Sequence, residues 1–304
     1  METTRSSTTW PMGGRVRSVS RPGVAAALTA ALIVAALGWL YADVVPGLVR
    51  QWAADADYSH GFFVAPLAAF FVWERRAALA RLPARPHVAG IALLALSLVV
   101  FIAGRYGAEL FLTRVSLVGV IAGLVLFLAG SAHLKVLAFP IGFLLLMIPL
   151  PAIVFNQVAF PLQILASQLG EMVISASGVP VLREGNVLLL PGRALEVAEA
   201  CSGIRSLISL FMLAVVLGYF TERRAGPRIA IAIAAVPIAV IANAARVAGT
   251  GLASYWISPA AAEGFFHSFS GWLMFVVALG GLLLVHRMFE IARARALRPA
   301  RSGW

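Results

Sequence analysis

The sequence is built from long apolar runs separated by short charged or turn-rich connections, and few folds tolerate that pattern. A run of about 20 apolar residues crosses the hydrocarbon core of a bilayer as a helix, which satisfies its own backbone polar groups where there is no water. Eight such runs occur. They begin near Val24, Gly61, Val88, Leu110, Val136, Ser202, Ile229 and His267, and end near Tyr41, Trp73, Gly104, Ala129, Phe155, Phe220, Leu252 and Val285. The second is short and holds Pro66. Of the 304 residues, 61% are hydrophobic and 12% are charged, with a mean hydropathy of +0.92, which excludes a soluble globular domain. The expected fold is an all-α polytopic membrane protein of about eight transmembrane helices. The first run is long enough to remain as an anchor rather than be removed as a signal peptide.

The net charge of +11 is excessive for such a chain until the basic residues are sorted by loop. Arg5, Arg15, Arg17 and Arg21 precede the first span, and Arg75, Arg76, Arg81 and Arg85 follow the second. Lys135, Arg223, Arg224, Arg228 and the five arginines from Arg287 to Arg301 fall on the same side, which makes seventeen of the 24 basic residues. Only Arg50, Arg105, Arg183 and Arg193 fall opposite, while Arg114, Arg205 and Arg246 sit inside or at the ends of spans. By the positive-inside rule both termini are cytoplasmic, and no nucleic-acid partner is needed to explain the charge. The expected organisation is a cytoplasmic arm over 1–22, a transmembrane domain over 23–286 and a basic cytoplasmic tail over 287–304.

This orientation sends the long insertion 156–200 to the outside. Its first part, from Pro161, carries Leu162, Leu165, Leu169 and Val173 at helical spacing, which predicts an amphipathic helix on the membrane surface. Gly185-Asn186 and Pro191-Gly192 then punctuate short β-prone runs, which predicts a small β-hairpin before the sixth span. Glu184, Glu196 and Glu199 are expected on its solvated faces.

A single cysteine excludes an intramolecular disulfide and a multi-thiolate zinc site. Cys201 is then either an inert buried residue or a nucleophile. It precedes the sixth span directly, where the positive end of a helix dipole favours thiolate. Arg246 lies about 17 residues into the seventh span, near its outer end, where a charge needs a partner or a path to the interface. Asn243, one turn earlier, shares its face; contact with lipid phosphates is the plainer reading of the arginine. Among five histidines, His60 and His267 are on the same side as Cys201, either as functional groups or as interfacial aromatics. The spacing of Asp55, Asp57, His60 and His267 is not diagnostic of a metal, and no metal or cofactor is expected.

Three late spans thus present Cys201, Arg246 and His267 at one membrane face. Histidine supplies a base for a thiol and a proton for a leaving amine, whereas arginine is too basic for proton transfer and suits an oxyanion or carboxylate. The set suggests acyl transfer through a thioester. ACSGIRSL from Ala200, NAARV from Asn243 and HSFSGW from His267 closely resemble the three motifs of the exosortases, membrane cysteine transpeptidases related to the archaeosortases. YSHGFF from Tyr58, PLQ from Pro161 and EGN from Glu184 extend the resemblance from about Trp39 to Val285.

The resemblance implies Cys201 as nucleophile, Arg246 as oxyanion or transition-state stabiliser and His267 as general acid/base. Arg205, Asn243 and His60 fall in matching motifs as substrate-binding candidates. It also implies the partners: exported proteins with a C-terminal Pro-Glu-Pro motif, a transmembrane helix and a basic tail. These would be processed at the periplasmic face of a bacterial inner membrane, in a sorting system associated with exopolysaccharide. Some members carry a further C-terminal domain that is not expected here, which leaves room for a separate accessory periplasmic protein. Two other readings compete: a non-enzymatic component of polysaccharide export or assembly, for which Cys201→Ala would be silent, and a lipid or polysaccharide transferase that cuts no peptide.

Overall fold

The computed structural model describes residues 24–197, 204–257 and 264–296. The chain divides into two compact units, residues 1–43 and residues 44–304. The described helix of the first is α1, Val24–Leu40, built mostly of Ala, Leu, Val and Ile and interrupted by Thr29, Gly38 and Trp39.

The second unit opens with α2 (Val44–Ala54), a 3₁₀ turn (Ala56–Tyr58), α3 (Gly61–Glu74) and the short α4 (Arg76–Arg81). Then follow α5 (Ala89–Tyr106), α6 (Leu110–Leu128), α7 (Ser131–Phe143), a 3₁₀ turn (Leu144–Met147) and α8 (Ala152–Ala176). Strands β1 (Leu182–Glu184), β2 (Val187–Leu190) and β3 (Arg193–Glu196) precede α9 (Ile204–Thr221), α10 (Ala225–Trp256) and α11 (Gly264–Ala296). The chain is a mostly helical membrane protein. Six helices are long and apolar enough to cross a bilayer (α5, α6, α8, α9, α10 and most of α11), and a seventh is reached if α1 and α2 count as one span.

The eight expected spans differ from this in three places. The first corresponds to α1, 17 residues long, which counts as a span only together with α2. The second corresponds to α3, only 14 residues long. The fifth, expected over 136–155, is not one helix. Pro149 and Pro151 force Ile148 and Leu150 away from helical geometry, so α7 tightens into its 3₁₀ turn, Ile148 is extended (ψ 117°) and α8 starts anew after Pro151 (ψ 140°). The amphipathic stretch from Pro161 is therefore the later part of one 25-residue helix. Although α8 is long enough to cross, its start lies by Arg114, and its later turns pack on the closing third of α10, with Gly170 against Val247 and Ile174 against Gly251.

The β-prone insertion forms a three-stranded antiparallel sheet in the order β1-β2-β3, one strand more than a hairpin. Both predicted turns are present as two-residue connections, between Glu184 and Val187 and between Leu190 and Arg193. Gly185 (φ 63°) and Gly192 (φ 75°) supply the left-handed backbone these turns need. Leu188 and Leu190 are buried with Ala166, Ile174, Val247 and Ala248, which clamps the sheet onto α8 and α10. Glu184 and Glu196 are exposed. Arg183 pairs with Glu171 at 3.0 Å, and Ser167 donates to the Gly185 carbonyl at 3.0 Å.

Polar bonds tie the helices together at the other end of this unit. Tyr219 donates to Glu74 at 2.7 Å, Arg75 donates to Tyr219 at 3.1 Å and also to the Val136 carbonyl, and Arg293 pairs with the buried Glu222. Above them Phe71, Phe139, Phe143 and Tyr219 form an aromatic cluster that joins α3, α7 and α9.

Candidate functional site

The late helices α9, α10 and α11 share a core of small and branched residues: Leu210 and Ala214, then Ile231, Ala235, Ala239 and Ala242, then Ala278 and Leu282. On α10, positions 235, 239, 242 and 246 recur at helical spacing, so the alanine stripe that admits the neighbouring helices continues into Arg246. Arg246 is buried at 9% exposure, as is Asn243 at 6%, and each has an interaction partner.

The guanidinium of Arg246 reaches α11. A β-carbon placed on Gly271 would lie 3.2 Å from its Nη1, so the bare glycine backbone is the surface against which the cation rests. On α11, Gly271 shares a face with Ala278 and Leu282, seven and eleven residues later, and position 267 lies one turn before it in the first turn of the helix. The structure therefore brings the Arg246 side chain to the part of α11 that carries position 267. The His267 side chain and Cys201 both lie outside the described residues.

The chain after Cys201 re-enters the described structure at Ile204, which is buried at 2% exposure. Arg205, one residue on, donates from Nε to Asp57 at 2.7 Å. This pair ties the start of α9 to the turn between α2 and α3. Asp55 caps that turn by accepting from the Asp57 backbone N–H at 2.9 Å. In the same segment His60 is buried, with Nδ1 3.2 Å from the Asp57 carbonyl oxygen and Nε2 3.0 Å from that of Leu146. Tyr58 is also buried; desolvation, and then the carboxylates of Asp55 and Asp57, push its phenol above the ordinary value, so it acts as a neutral group.

Tyr58 and His60 border a cavity of about 260 Å³ whose other walls are apolar, among them Leu146, Leu207, Phe211 and Val236. Val236 is two turns before Asn243 on α10, so the cavity runs along the face that bears Asn243, about 10 Å deeper in the bundle. It could hold an apolar side chain beside the start of α9. Among the described residues no group of three His, Cys, Asp or Glu side chains is placed to hold a metal ion.

Of the six candidate residues, the structure thus ties Arg205 and His60 to one segment, puts Asn243 and Arg246 on α10, and draws Arg246 to α11. Gly271 is not among the sequence-based candidates, and Asp57 is weighed there only as a metal ligand, not as the partner of Arg205. The signal was present for both: a glycine four residues after His267, and an acidic residue three before His60.

No curated protein and no solved structure matches the chain. The model of the transmembrane exosortase family matches residues 52–284, which takes in Asp57, His60, Cys201, Arg205, Asn243, Arg246, His267 and Gly271. With well over half of its length matched, the chain belongs to the transmembrane exosortase family.

Proposed function

We propose that the chain is a membrane cysteine transpeptidase that cleaves C-terminal sorting signals of the Pro-Glu-Pro type from exported proteins. Cys201 attacks the scissile carbonyl carbon as thiolate, and the C–N bond then breaks to give a thioester. The developing oxyanion is held by Arg246, whose charge is fixed and whose donors are oriented by its burial beside Gly271 and Asn243. His267 protonates the departing amine. An incoming nucleophile then gives its proton to His267, attacks the thioester carbon and releases the Cys201 thiolate.

The observation that carries this reading is the approach of Arg246 to α11 one turn after position 267, within a family match that covers all three residues. An arginine in contact only with lipid phosphates would have no reason to follow the α10 stripe into the helix interface. In the proposed orientation both termini are cytoplasmic and the start of α9 faces the periplasm, supported by the seventeen basic residues on the opposite side. Arg205 and His60 then serve the site by positioning, since the first holds Asp57 and the second spans two carbonyl oxygens. The test is processing of a co-expressed substrate bearing such a signal by the wild type and by Cys201→Ala, Arg246→Ala and His267→Ala. Each variant should accumulate in the membrane and leave the substrate at full length.

A further inference from the structure

Arg114 is a buried cation that the proposed reaction does not use. It sits on the second turn of α6, a helix apolar enough to span the bilayer, and is 5% exposed. Its Nη1 donates to Gln51 Oε1 at 2.7 Å. Among the described residues it has no other hydrogen bond and no ion pair. A guanidinium has five donors, and burying one with a single neutral partner is costly unless something else satisfies the rest.

That something has room. Arg114, Gln51 and Glu109 line a cavity of about 210 Å³ with Leu110, Phe111 and the Pro149–Ala152 segment. One carboxylate oxygen of Glu109 accepts from the Phe111 backbone N–H at 3.1 Å and caps α6. The rim of the cavity is apolar and open: Leu110 is 61% exposed and Leu150 is 40% exposed, both at the ends of apolar segments. A polar floor beneath a lipid-facing rim matches a molecule with an anionic head and a hydrocarbon body.

We propose that this cavity binds the phosphate of a phospholipid headgroup, with Arg114 and Gln51 as its donors. Charge favours a lipid over free phosphate. Glu109 lines the same cavity and offsets part of the cation's charge, so a phosphodiester monoanion is tolerated better than the dianion that makes up about half of inorganic phosphate near neutral pH. The site is independent of the proposed transpeptidase chemistry.

The test is native mass spectrometry of the full chain purified in detergent after exposure to vesicles of phosphatidylethanolamine and phosphatidylglycerol. Wild type should retain one phospholipid, and excess inorganic phosphate should not displace it. Arg114→Gln should lower occupancy by about tenfold or more, as expected for loss of charge-assisted hydrogen bonds. Ala152→Trp, which fills the cavity from the exposed first residue of α8 and keeps the arginine, should also lose the lipid, and it carries the test if Arg114→Gln does not fold. Equal retention by wild type and a folded Ala152→Trp, or displacement of the lipid by inorganic phosphate, overturns the proposal.

Discussion

Arg246 Nη1 lies 3.2 Å from the place a β-carbon would occupy on Gly271, so the cation of α10 is seated on the bare backbone of α11. The relationship explains why a glycine stands on a face otherwise used for packing by Ala278 and Leu282.

Gly271→Ala should move the guanidinium by a few tenths of an ångström. Misplacement of a catalytic group by about 1 Å can cost on the order of 100-fold, so roughly tenfold slower processing is expected for Gly271→Ala and a larger loss for Gly271→Leu. Processing rates measured at matched membrane levels check this. Unchanged turnover in Gly271→Leu would show that Arg246 does not act from this position.

The Arg205–Asp57 pair is half-exposed on the arginine side, so its contribution to stability is small, about 0.2–1 kcal/mol. Its consequence is positional. Arg205→Asp or Asp57→Arg alone should reduce processing, and the double exchange should restore a substantial part of it. If Arg205 instead holds a substrate carboxylate, the double exchange will remain inactive.

At the far end, Glu222 is 2% exposed and paired with Arg293, while its carbonyl accepts from Arg228 Nε at 2.7 Å. Arg293→Ala leaves a buried carboxylate without its cation and should destabilise the helical bundle by about 3 kcal/mol. Arg293→Ala combined with Glu222→Gln should recover part of that loss. Chemical unfolding in detergent, followed by tryptophan fluorescence, measures both.

Much of this architecture was legible in the sequence because a bilayer imposes hydrogen-bond and length rules that act locally. The spans expected over 88–104, 110–129, 202–220 and 229–252 correspond to α5, α6, α9 and α10 within a few residues at each end. The turns at Gly185 and Pro191 followed from backbone chemistry alone. Legibility failed where neighbours decide. Apolar character ran on through Leu144–Leu150, and the prolines that break it are only two of many residues in an otherwise continuous run. A strand count depends on pairing, so β3 was not separable from its connection. Arg205 looked free to meet a substrate because Asp57, its partner, is 148 residues away. The burial of Arg114 beside Gln51 was hidden in the same way, across 63 residues. For the proposed site, the motifs point to Arg246, and only packing shows that its guanidinium rests against Gly271.

The central claim is that Cys201 forms a thioester with the substrate, and the intact mass of a co-expressed substrate tests it most directly. With the wild type, the product should have lost its C-terminal helix and basic tail at a single position, with or without the mass of an attached acceptor. With Cys201→Ala present in the membrane at the same level, the substrate should keep its full mass. A cut at that same position in the Cys201→Ala strain would contradict the account.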